Sequence, residues 1–154
     1  YPDKSFKPNA AITRAEFTVS LVKAFQLTLA QGKVFRDTRN HWAEKAIATA
    51  TAHGIVSGFS ESMFNPDGFL TREQMAVMIE KAAGIEKASR SKVFTDSHMI
   101  AEWAQDAVDA CVAANVLSGM PDGSFRPKKT TTRAEAATII FKVINLKNTK
   151  SAGL

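Results

Sequence analysis

The sequence has 154 residues, of which 45% are hydrophobic, and this length and composition predict one globular domain and exclude a disordered chain. A total of 20 Lys and Arg against 15 Asp and Glu gives a net charge of +5 and a pI near 9.5, which favours an anionic partner. The single Cys111 excludes an intrachain disulfide and a cysteine-rich metal site, and the longest uncharged run, Ala46 to Ser60, is shorter than the roughly 20 apolar residues of a membrane helix.

A motif that begins a helix occurs three times along the chain. It is a capping box, in which an N-cap Thr accepts a hydrogen bond from the backbone N–H three residues later and a Glu or Gln side chain returns the bond. The pairs are Thr13 and Glu16, Thr71 and Gln74, and Thr132 and Glu135. We therefore predict helices over about 13–26, 71–83 and 132–145. Their inward faces include Phe17, Leu21, Phe25, Met75, Ile79, Ala82, Ala136, Ile140 and Val143.

An arginine follows each capping threonine, at Arg14, Arg72 and Arg133. A cation in the first turn opposes the helix dipole at a cost of about 0.3–1 kcal/mol, so a favourable interaction should offset it in three places. A guanidinium beside the free N–H groups of a helix N-terminus is a suitable site for a carboxylate or phosphate. The alternative is an exposed or locally paired arginine, and the threefold repetition favours the anion site.

The arginines belong to a longer repeat. Arg72 follows Arg14 by 58 residues and Arg133 follows Arg72 by 61, and other landmarks keep nearly the same step. These landmarks are the Phe-x-Pro motifs ending at Pro8, Pro66 and Pro127, the Phe-x-Asp motifs ending at Asp37 and Asp96, and the Trp-Ala pairs beginning at Trp42 and Trp103. A period of about 60 residues indicates repeated helix–loop–helix units.

Each complete unit begins with a helix rich in small residues, predicted over about 41–53 and 101–114. Gly54 and Asn115 follow these helices at the same position, and both residue types tolerate the left-handed conformation that ends a helix. Cys111 lies on the apolar stripe of the second copy and is predicted to be a small buried residue, not a nucleophile.

We predict a single domain over 1–146. It consists of a partial first repeat over 1–27, a second repeat over 34–85 and a third over 93–146, followed by a C-terminal tail over 147–154. The first repeat lacks Phe-x-Asp and Trp-Ala. Because Tyr1 is neither a start methionine nor the beginning of a signal peptide, the chain is expected to be a segment of a larger protein. Its oligomeric state is left open.

The order Phe-x-Asp, Trp-Ala, Ser-Gly, Phe-x-Pro and Thr-Arg resembles the S-layer homology (SLH) domain family over residues 1–146. The resemblance implies an all-α fold in which three pseudo-repeats share a central three-helix bundle. It also implies that the chain is not an enzyme and needs no cofactor. Domains of this type are expected outside the bacterial cell, where they anchor S-layer proteins and surface enzymes to an acidic secondary cell wall polysaccharide, typically one that carries pyruvylated N-acetylmannosamine.

The resemblance also implies the ligand-binding residues. They map to Arg14, Arg72, Arg133, Trp42, Trp103, Asp37, Asp96, Gly58 and Gly119. A pyruvate ketal presents a carboxylate to arginine, its methyl group and the apolar face of the sugar suit an indole, and glycine lets a sugar approach the backbone. Two alternatives stay open, since the tryptophans could fill the core and the aspartates could hold turns.

Two departures from the family pattern affect the sites. Glu73 stands beside Arg72, where the family has alanine, and this carboxylate is expected to weaken that site. With only two Trp–Asp sets, at most two complete sites are expected, from Trp42 with Asp37 and from Trp103 with Asp96. Each is expected to include the arginine of an adjacent repeat.

Other functions have less support in the sequence. No nucleophile–base pair or pair of carboxylates recurs, which argues against an enzyme. The basic pI leaves nucleic acid, or peptidoglycan itself, as an alternative ligand, but Lys and Arg are scattered and no helix is lined with base-reading side chains. The Pro-Asp-Gly turns lack a ladder of calcium ligands and the three histidines share no position, so we expect no metal site.

Overall fold

The computed structural model describes residues 5–90 and 92–153, which form five α-helices joined by loops. They are α1 (Arg14–Ala24), α2 (Glu44–Ala52), α3 (Arg72–Ala83), α4 (Glu102–Ala113) and α5 (Arg133–Ala152), with a short 3₁₀ helix at Ser97–Met99. Over these two ranges only isolated β-bridges accompany the helices, so the predicted all-α class is confirmed. Residues 1–4 of the predicted partial repeat and residue 154 of the predicted tail lie outside the described ranges.

The three predicted capped helices begin where the capping motif places them. Their N-caps are Thr13, Thr71 and Thr132, whose hydroxyls accept the backbone N–H three residues later. At α3 and α5 the Gln74 and Glu135 side chains return the bond, at 3.1 and 2.9 Å. α1 differs from the prediction, because the Glu16 carboxylate contacts the Arg133 guanidinium instead of returning the bond to Thr13.

A ring of backbone hydrogen bonds joins the N-termini of the three capped helices. Ile12 donates to the carbonyl of Thr131 at 2.9 Å, Thr131 donates to Leu70 at 2.8 Å, and Leu70 donates back to Ile12 at 3.0 Å. All three residues are buried, so the ring lies in the interior. It closes only when segments from all three repeats are in place. The predicted pseudo-threefold arrangement of the whole domain stays a prediction.

The first-turn N–H groups of these helices also bond to a neighbouring repeat. Arg14 and Ala15 donate to the carbonyls of Gly68 and Pro66, Arg72 and Glu73 to those of Lys129 and Pro127, and Arg133 and Ala134 to those of Ala10 and Pro8. The Phe-x-Pro turns therefore satisfy the donors that a helix N-terminus normally leaves open. The free N–H groups that the sequence suggested for an anion are already occupied.

Helix packing follows the repeats. α2 packs on α1, α4 packs on α3, and α5 contacts both α1 and α3. Six of the nine residues predicted to face inward are buried and the other three, Phe25, Ala82 and Ile140, are half-buried. Loop phenylalanines complete the core: the ring centroids of Phe35 and Phe64 are 5.6 Å apart.

Further details of the helices match their sequence. Gly54 and Asn115 both have positive φ, at 70° and 56°, as predicted for the two helix ends. Cys111 is fully buried, its Sγ lies 3.6 Å from the carbonyl oxygen of Ala76, and burial raises the pKa of the thiol to about 12.

α5 continues to Ala152, through most of the segment predicted to be a tail. In the ranges described, no helix combines the length and apolar character that crossing a membrane requires.

Two phenylalanines close together in sequence provide a test of this core. Phe64 is fully buried and Phe69 is 59% exposed. We expect Phe64→Ala to lower the free energy of unfolding by about 3–5 kcal/mol, since it removes a core aromatic ring. Phe69→Ala should change it by about 0.5 kcal/mol or less. Urea denaturation followed by circular dichroism measures both, and equal losses would contradict the packing described here.

Candidate functional site

Backbone carbonyls of the following repeat hold the side chains of Arg14 and Arg72. Arg14 donates from Nε to the carbonyl of Phe64 at 3.0 Å and from Nη2 to that of Ser57 at 3.3 Å. Arg72 repeats the pattern, donating to Phe125 at 2.9 Å and to Ser118 at 2.8 Å. Each guanidinium also lies over the ring of the phenylalanine whose carbonyl it binds, at 4.5 and 4.8 Å from the centroid. The two arginines thus join successive repeats.

These two cations are largely removed from water. Arg14 is 8% exposed and Arg72 is 6% exposed, and desolvation lowers the pKa of both guanidinium groups from the usual value. In the part of the chain that the structure describes, neither forms an ion pair with a carboxylate. A guanidinium has five N–H donors, so the two carbonyls leave part of its donor capacity available to an anion. Nearby carboxylates, Asp37 for Arg14 and Glu135 and Asp96 for Arg72, partly offset the effect of desolvation on the two cations.

The Phe-x-Asp carboxylates hold the loops that bind the arginines. Asp37 accepts the backbone N–H groups of Phe64 and Asn65, at 2.9 and 2.7 Å. Asp96 accepts those of Phe125 and Arg126, at 2.7 and 2.8 Å. In the structure both aspartates therefore hold turns, which is the alternative role that the sequence left open for them. Direct contact of either aspartate with a ligand stays a prediction.

Arg133 has a different environment from the other two arginines. It donates from Nε to the carbonyl of Phe6 at 2.9 Å and lies 5.3 Å from the centroid of that ring, which repeats the pattern of Arg14. It also forms an ion pair with Glu16. Phe6 is 51% exposed, whereas the equivalent Phe64 and Phe125 are fully buried, so this part of the molecule is more open.

Arg14 lies in a groove of about 400 Å³ between the repeats, which we call the Arg14 groove. Its lining residues are Arg14, Ile55, Val56, Ser57, Gly58, Phe59, Gln74, Val77, Met78, Lys81 and Trp103. The groove combines the arginine of the first repeat, a loop and helix α3 of the second, and the tryptophan of the third. Trp103 is 60% exposed, so its indole does not fill the core.

A second groove, of about 430 Å³, contains Arg133 and is called the Arg133 groove. It is lined by Phe6, Ile12, Glu16, Val19, Ser20, Trp42, Arg133, Ala136, Ala137, Ile140, Phe141 and Ile144. Trp42 is 65% exposed and also lies outside the core. Each groove thus combines an arginine and a tryptophan from different repeats: Arg14 of the first repeat with Trp103 of the third, and Arg133 of the third repeat with Trp42 of the second. Arg72 and Gly119 are not among the lining residues of either groove.

The two grooves differ in charge. The lining of the Arg14 groove includes two cations, Arg14 and Lys81, and no carboxylate. The lining of the Arg133 groove includes one cation and the carboxylate of Glu16. The residue at the repeat position of Glu16 in the Arg14 groove is the neutral Gln74. An acidic ligand would therefore find a stronger positive potential in the Arg14 groove.

Glycine and glutamate at the predicted sites have internal roles. A Cβ on Gly58 would lie 2.6 Å from the Phe35 ring, and one on Gly119 would lie 2.5 Å from the Phe94 ring, so packing against the Phe-x-Asp phenylalanines requires glycine at both positions. Glu73 is buried, accepts the N–H of Ala101 at 3.0 Å and pairs with Lys128. Its carboxylate thus holds the N–H at the start of α4, and the expected weakening of the Arg72 site stays a prediction.

Sequence reasoning missed several residues of the site. Lys81 was not assigned, although it follows Gln74 by seven residues and therefore lies on the same face of α3. Phe59, which is 68% exposed in the Arg14 groove, was also missed. No pattern in the sequence indicates that the carbonyls of Ser57 and Ser118 accept hydrogen bonds from the arginines.

No cluster of three or more metal-ligating side chains occurs in residues 5–90 and 92–153.

Comparison with known proteins identifies a family. The family model described as the S-layer homology domain matches residues 1–18, 34–76 and 93–137. The chain is 35% identical over 146 residues to an endoglucanase of Bacillus sp. (strain KSM-635), an alignment that covers 91% of the chain and 15% of the endoglucanase. It is 33% identical over 150 residues to a cellulosome-anchoring protein of Acetivibrio thermocellus, covering 91% of the chain and 33% of that protein.

An S-layer protein is also among the relatives. The S-layer protein EA1 of Bacillus anthracis is 28% identical over 142 residues, which cover 90% of the chain and 16% of EA1. The chain thus spans a third or less of the length of these three relatives. The similarity is to one shared module and does not extend to the rest of each protein.

The hydrogen bonds of Arg72 predict that even its replacement by lysine destabilises the fold. Lysine keeps the charge but lacks the planar fork that donates to two carbonyls at once. We expect Arg72→Lys to lower the free energy of unfolding by about 1.5–3 kcal/mol, in the range for hydrogen bonds from charged groups. The exposed Arg39 is the control, and Arg39→Lys should have no measurable effect in guanidinium chloride denaturation. If both variants were equally stable, the carbonyl contacts would not link the repeats as described.

Proposed function

The chain belongs to the S-layer homology family, whose domains anchor surface proteins to the outside of the bacterial cell wall, and we propose that it does so by binding an acidic, pyruvylated secondary cell wall polysaccharide. One observation carries this proposal: a desolvated Arg14, which forms no ion pair with a carboxylate of the described residues, shares a groove with the exposed Trp103. The names of two relatives, an S-layer protein and a cellulosome-anchoring protein, agree with an anchoring role.

Arg14 supplies the anion-binding part of the proposed site. Its Nε and Nη2 are held by carbonyls, so the guanidinium is already fixed in orientation before a ligand arrives. Preorganised charge in a partly dry groove interacts more strongly with an anion than a mobile surface charge does. A ketal carboxylate would also add to the compensation of this buried cation, which Asp37 influences electrostatically without an ion pair in residues 5–90 and 92–153. Lys81 adds a second positive charge at the same groove.

Trp103 supplies a surface for the apolar face of the sugar. An indole that is 60% exposed at the edge of a groove can bury its ring against pyranose C–H groups and the ketal methyl group. Phe59, which is 68% exposed, extends this surface on the loop side of the groove. Charge and aromatic surface together select an acidic carbohydrate over a simple inorganic anion.

The remaining predicted site residues are proposed to act mainly through the loops. Asp37 and Gly58 shape the loop segments whose carbonyls hold Arg14, and Asp96 and Gly119 do the same for Arg72. Arg72 is proposed to contribute least to binding, because it has no tryptophan partner in either groove. The Arg133 groove, with Trp42, is proposed as a second and weaker site.

Replacement of the two tryptophans tests the proposal without disturbing the core. We expect Trp103→Ala to weaken binding to purified pyruvylated cell wall polysaccharide by about tenfold or more, equivalent to about 1.4 kcal/mol. Trp42→Ala should weaken it less, because the Arg133 groove is the less positive one. Isothermal titration calorimetry measures both, with circular dichroism to confirm folding and the exposed Phe69→Ala as control. If neither replacement changes the affinity, or if duplex DNA or polysaccharide-free peptidoglycan binds equally well at matched salt, the proposal is wrong.

An exchange of the neutral and acidic residues tests the charge difference between the grooves. Gln74→Glu places a carboxylate in the Arg14 groove and is expected to weaken binding of the acidic polysaccharide severalfold. Glu16→Gln removes the carboxylate from the Arg133 groove and is expected to strengthen binding there. Glutamate forms the capping box of α5, so the Gln74→Glu variant should fold normally. Calorimetric titrations in which both variants match the parent chain would show that these grooves do not bind the anion.

A further inference from the structure

A side chain of α3 holds the first turn of α4. Ala101 is the N-cap of α4 and has no side-chain oxygen, and its backbone N–H donates to Oε2 of Glu73 at 3.0 Å. Glu73 is 2% exposed, so this contact is shielded from water. A carboxylate at a helix N-terminus is favourable, because it interacts with the positive end of the helix dipole. Trp103 lies in the same first turn, two residues after Ala101.

The equivalent helix α2 begins later in its repeat. Trp103 follows Trp42 by 61 residues, and on the same step Glu102, the first residue of α4, corresponds to His41. α2 begins only at Glu44, so Trp42 precedes its helix, whereas Trp103 is inside one. The backbone that carries the two tryptophans is therefore held in different ways.

The carboxylates at the two helix starts come from different helices. Asn40, at the repeat position of Ala101, donates its N–H to Oε2 of Glu44 at 2.6 Å, and Glu44 belongs to α2 itself. In the third repeat the position of Glu44 is occupied by Gln105, whose amide donates to Asp109 at 3.1 Å. The third repeat thus lacks the local carboxylate at this position and uses one from α3.

Glu73 is particular to the second capped helix. The equivalent residues of the other two are Ala15 and Ala134. The other carboxylate oxygen of Glu73 pairs with Lys128, and its backbone N–H donates to the carbonyl of Pro127 at 3.1 Å. Glu73 therefore joins α3 both to the start of α4 and to the third Phe-x-Pro turn.

We propose that Glu73 is a positioning residue for the Arg14 groove. By holding the Ala101 N–H it fixes the first turn of α4, and with it the Trp103 indole, relative to α3. The indole is 60% exposed, so the backbone that carries it largely decides where it lies. α3 is the right reference, because it lines the same groove with Gln74, Val77, Met78 and Lys81.

This role rests on the proposed function, since it concerns the groove that is proposed to bind the polysaccharide. An indole that is fixed before binding loses less conformational entropy when a sugar stacks on it. Ordering one mobile side chain on binding corresponds to about twofold to tenfold in affinity. Loss of the Glu73 contact is expected to weaken binding by a factor in that range.

Fluorescence of Trp103 tests the positioning without any ligand. The chain has two tryptophans, so Trp42→Phe leaves Trp103 as the single emitter. In that background we expect Glu73→Ala to increase the amplitude of depolarisation faster than about 1 ns in time-resolved anisotropy. Glu73→Gln should restore the smaller amplitude, because an amide oxygen still accepts the Ala101 N–H. As a matched control, Glu44→Ala breaks the equivalent contact at α2 and should leave the Trp103 signal unchanged.

Calorimetric titration with purified pyruvylated polysaccharide tests the consequence for binding. Glu73→Ala and Glu73→Gln carry the same charge, so their comparison isolates the hydrogen bond from electrostatics. We expect the alanine variant to bind about twofold to tenfold more weakly than the glutamine variant. In a Trp103→Ala background this difference should disappear. Both variants should fold, since alanine occupies the same position at Ala15 and Ala134.

Two results would overturn the proposal. One is a Trp103 anisotropy that is the same in the parent, alanine and glutamine proteins, or that glutamine fails to restore. The other is an affinity difference between Glu73→Ala and Glu73→Gln that keeps its full size without Trp103, because Glu73 would then act on the fold as a whole. If the polysaccharide does not bind the parent chain, the proposed function fails, and the anisotropy still decides whether Glu73 positions Trp103.

Discussion

The structure depends on one contact, in which an arginine at the start of a capped helix donates to a backbone carbonyl of another repeat. Arg14 binds the carbonyl of Phe64, Arg72 that of Phe125, and Arg133 that of Phe6. The cost of a cation in the first turn of a helix is thus offset by carbonyl dipoles and by aromatic rings. Asp37 and Asp96 fix the same peptide units from the other side, so each loop is held between a carboxylate and a guanidinium.

The same contact prepares the proposed binding site. Two N–H groups of Arg14 donate to backbone carbonyls, and these bonds fix the orientation of a side chain that is buried from water. The carbonyls carry no net charge. The cation therefore still favours an anion in the adjacent groove. Packing and ligand binding are two consequences of one arrangement. A replacement of Arg14 is consequently expected to affect stability and affinity together, which makes the exposed tryptophans the cleaner probes of binding.

Much of the fold could be predicted from the sequence, because its signals are local. The Thr-x-x-Glu or Thr-x-x-Gln motif identified the starts of α1, α3 and α5, and the equivalence of Gly54 and Asn115 identified two helix ends. The role of Glu16 could not be predicted, since its partner Arg133 is 117 residues away. The carbonyls of Ser57 and Ser118 were missed because every residue has a carbonyl. The need for Gly58 was assigned to a ligand, although an internal ring also requires it.

The repeats carry different side chains at some equivalent positions, and these differences have structural consequences. Glu73 replaces the alanine expected in the family motif, and it caps the start of α4 and pairs with Lys128. Gln74 and Glu16 occupy the same repeat position and give two grooves of different charge. The starts of the three capped helices therefore share their backbone hydrogen bonds but differ in side-chain chemistry, and an acidic ligand is expected to prefer one groove.

Removal of the ketal from the polysaccharide tests the central claim most directly. Mild acid or enzymatic treatment removes the pyruvate and with it the carboxylate, while the sugar backbone is retained. Calorimetric titration of the unmodified chain with the polymer before and after this treatment measures the contribution of that carboxylate alone. The account predicts a loss of affinity equivalent to about 1.5–3 kcal/mol, the range for a hydrogen-bonded charged group. Unchanged affinity for the treated polymer would contradict it.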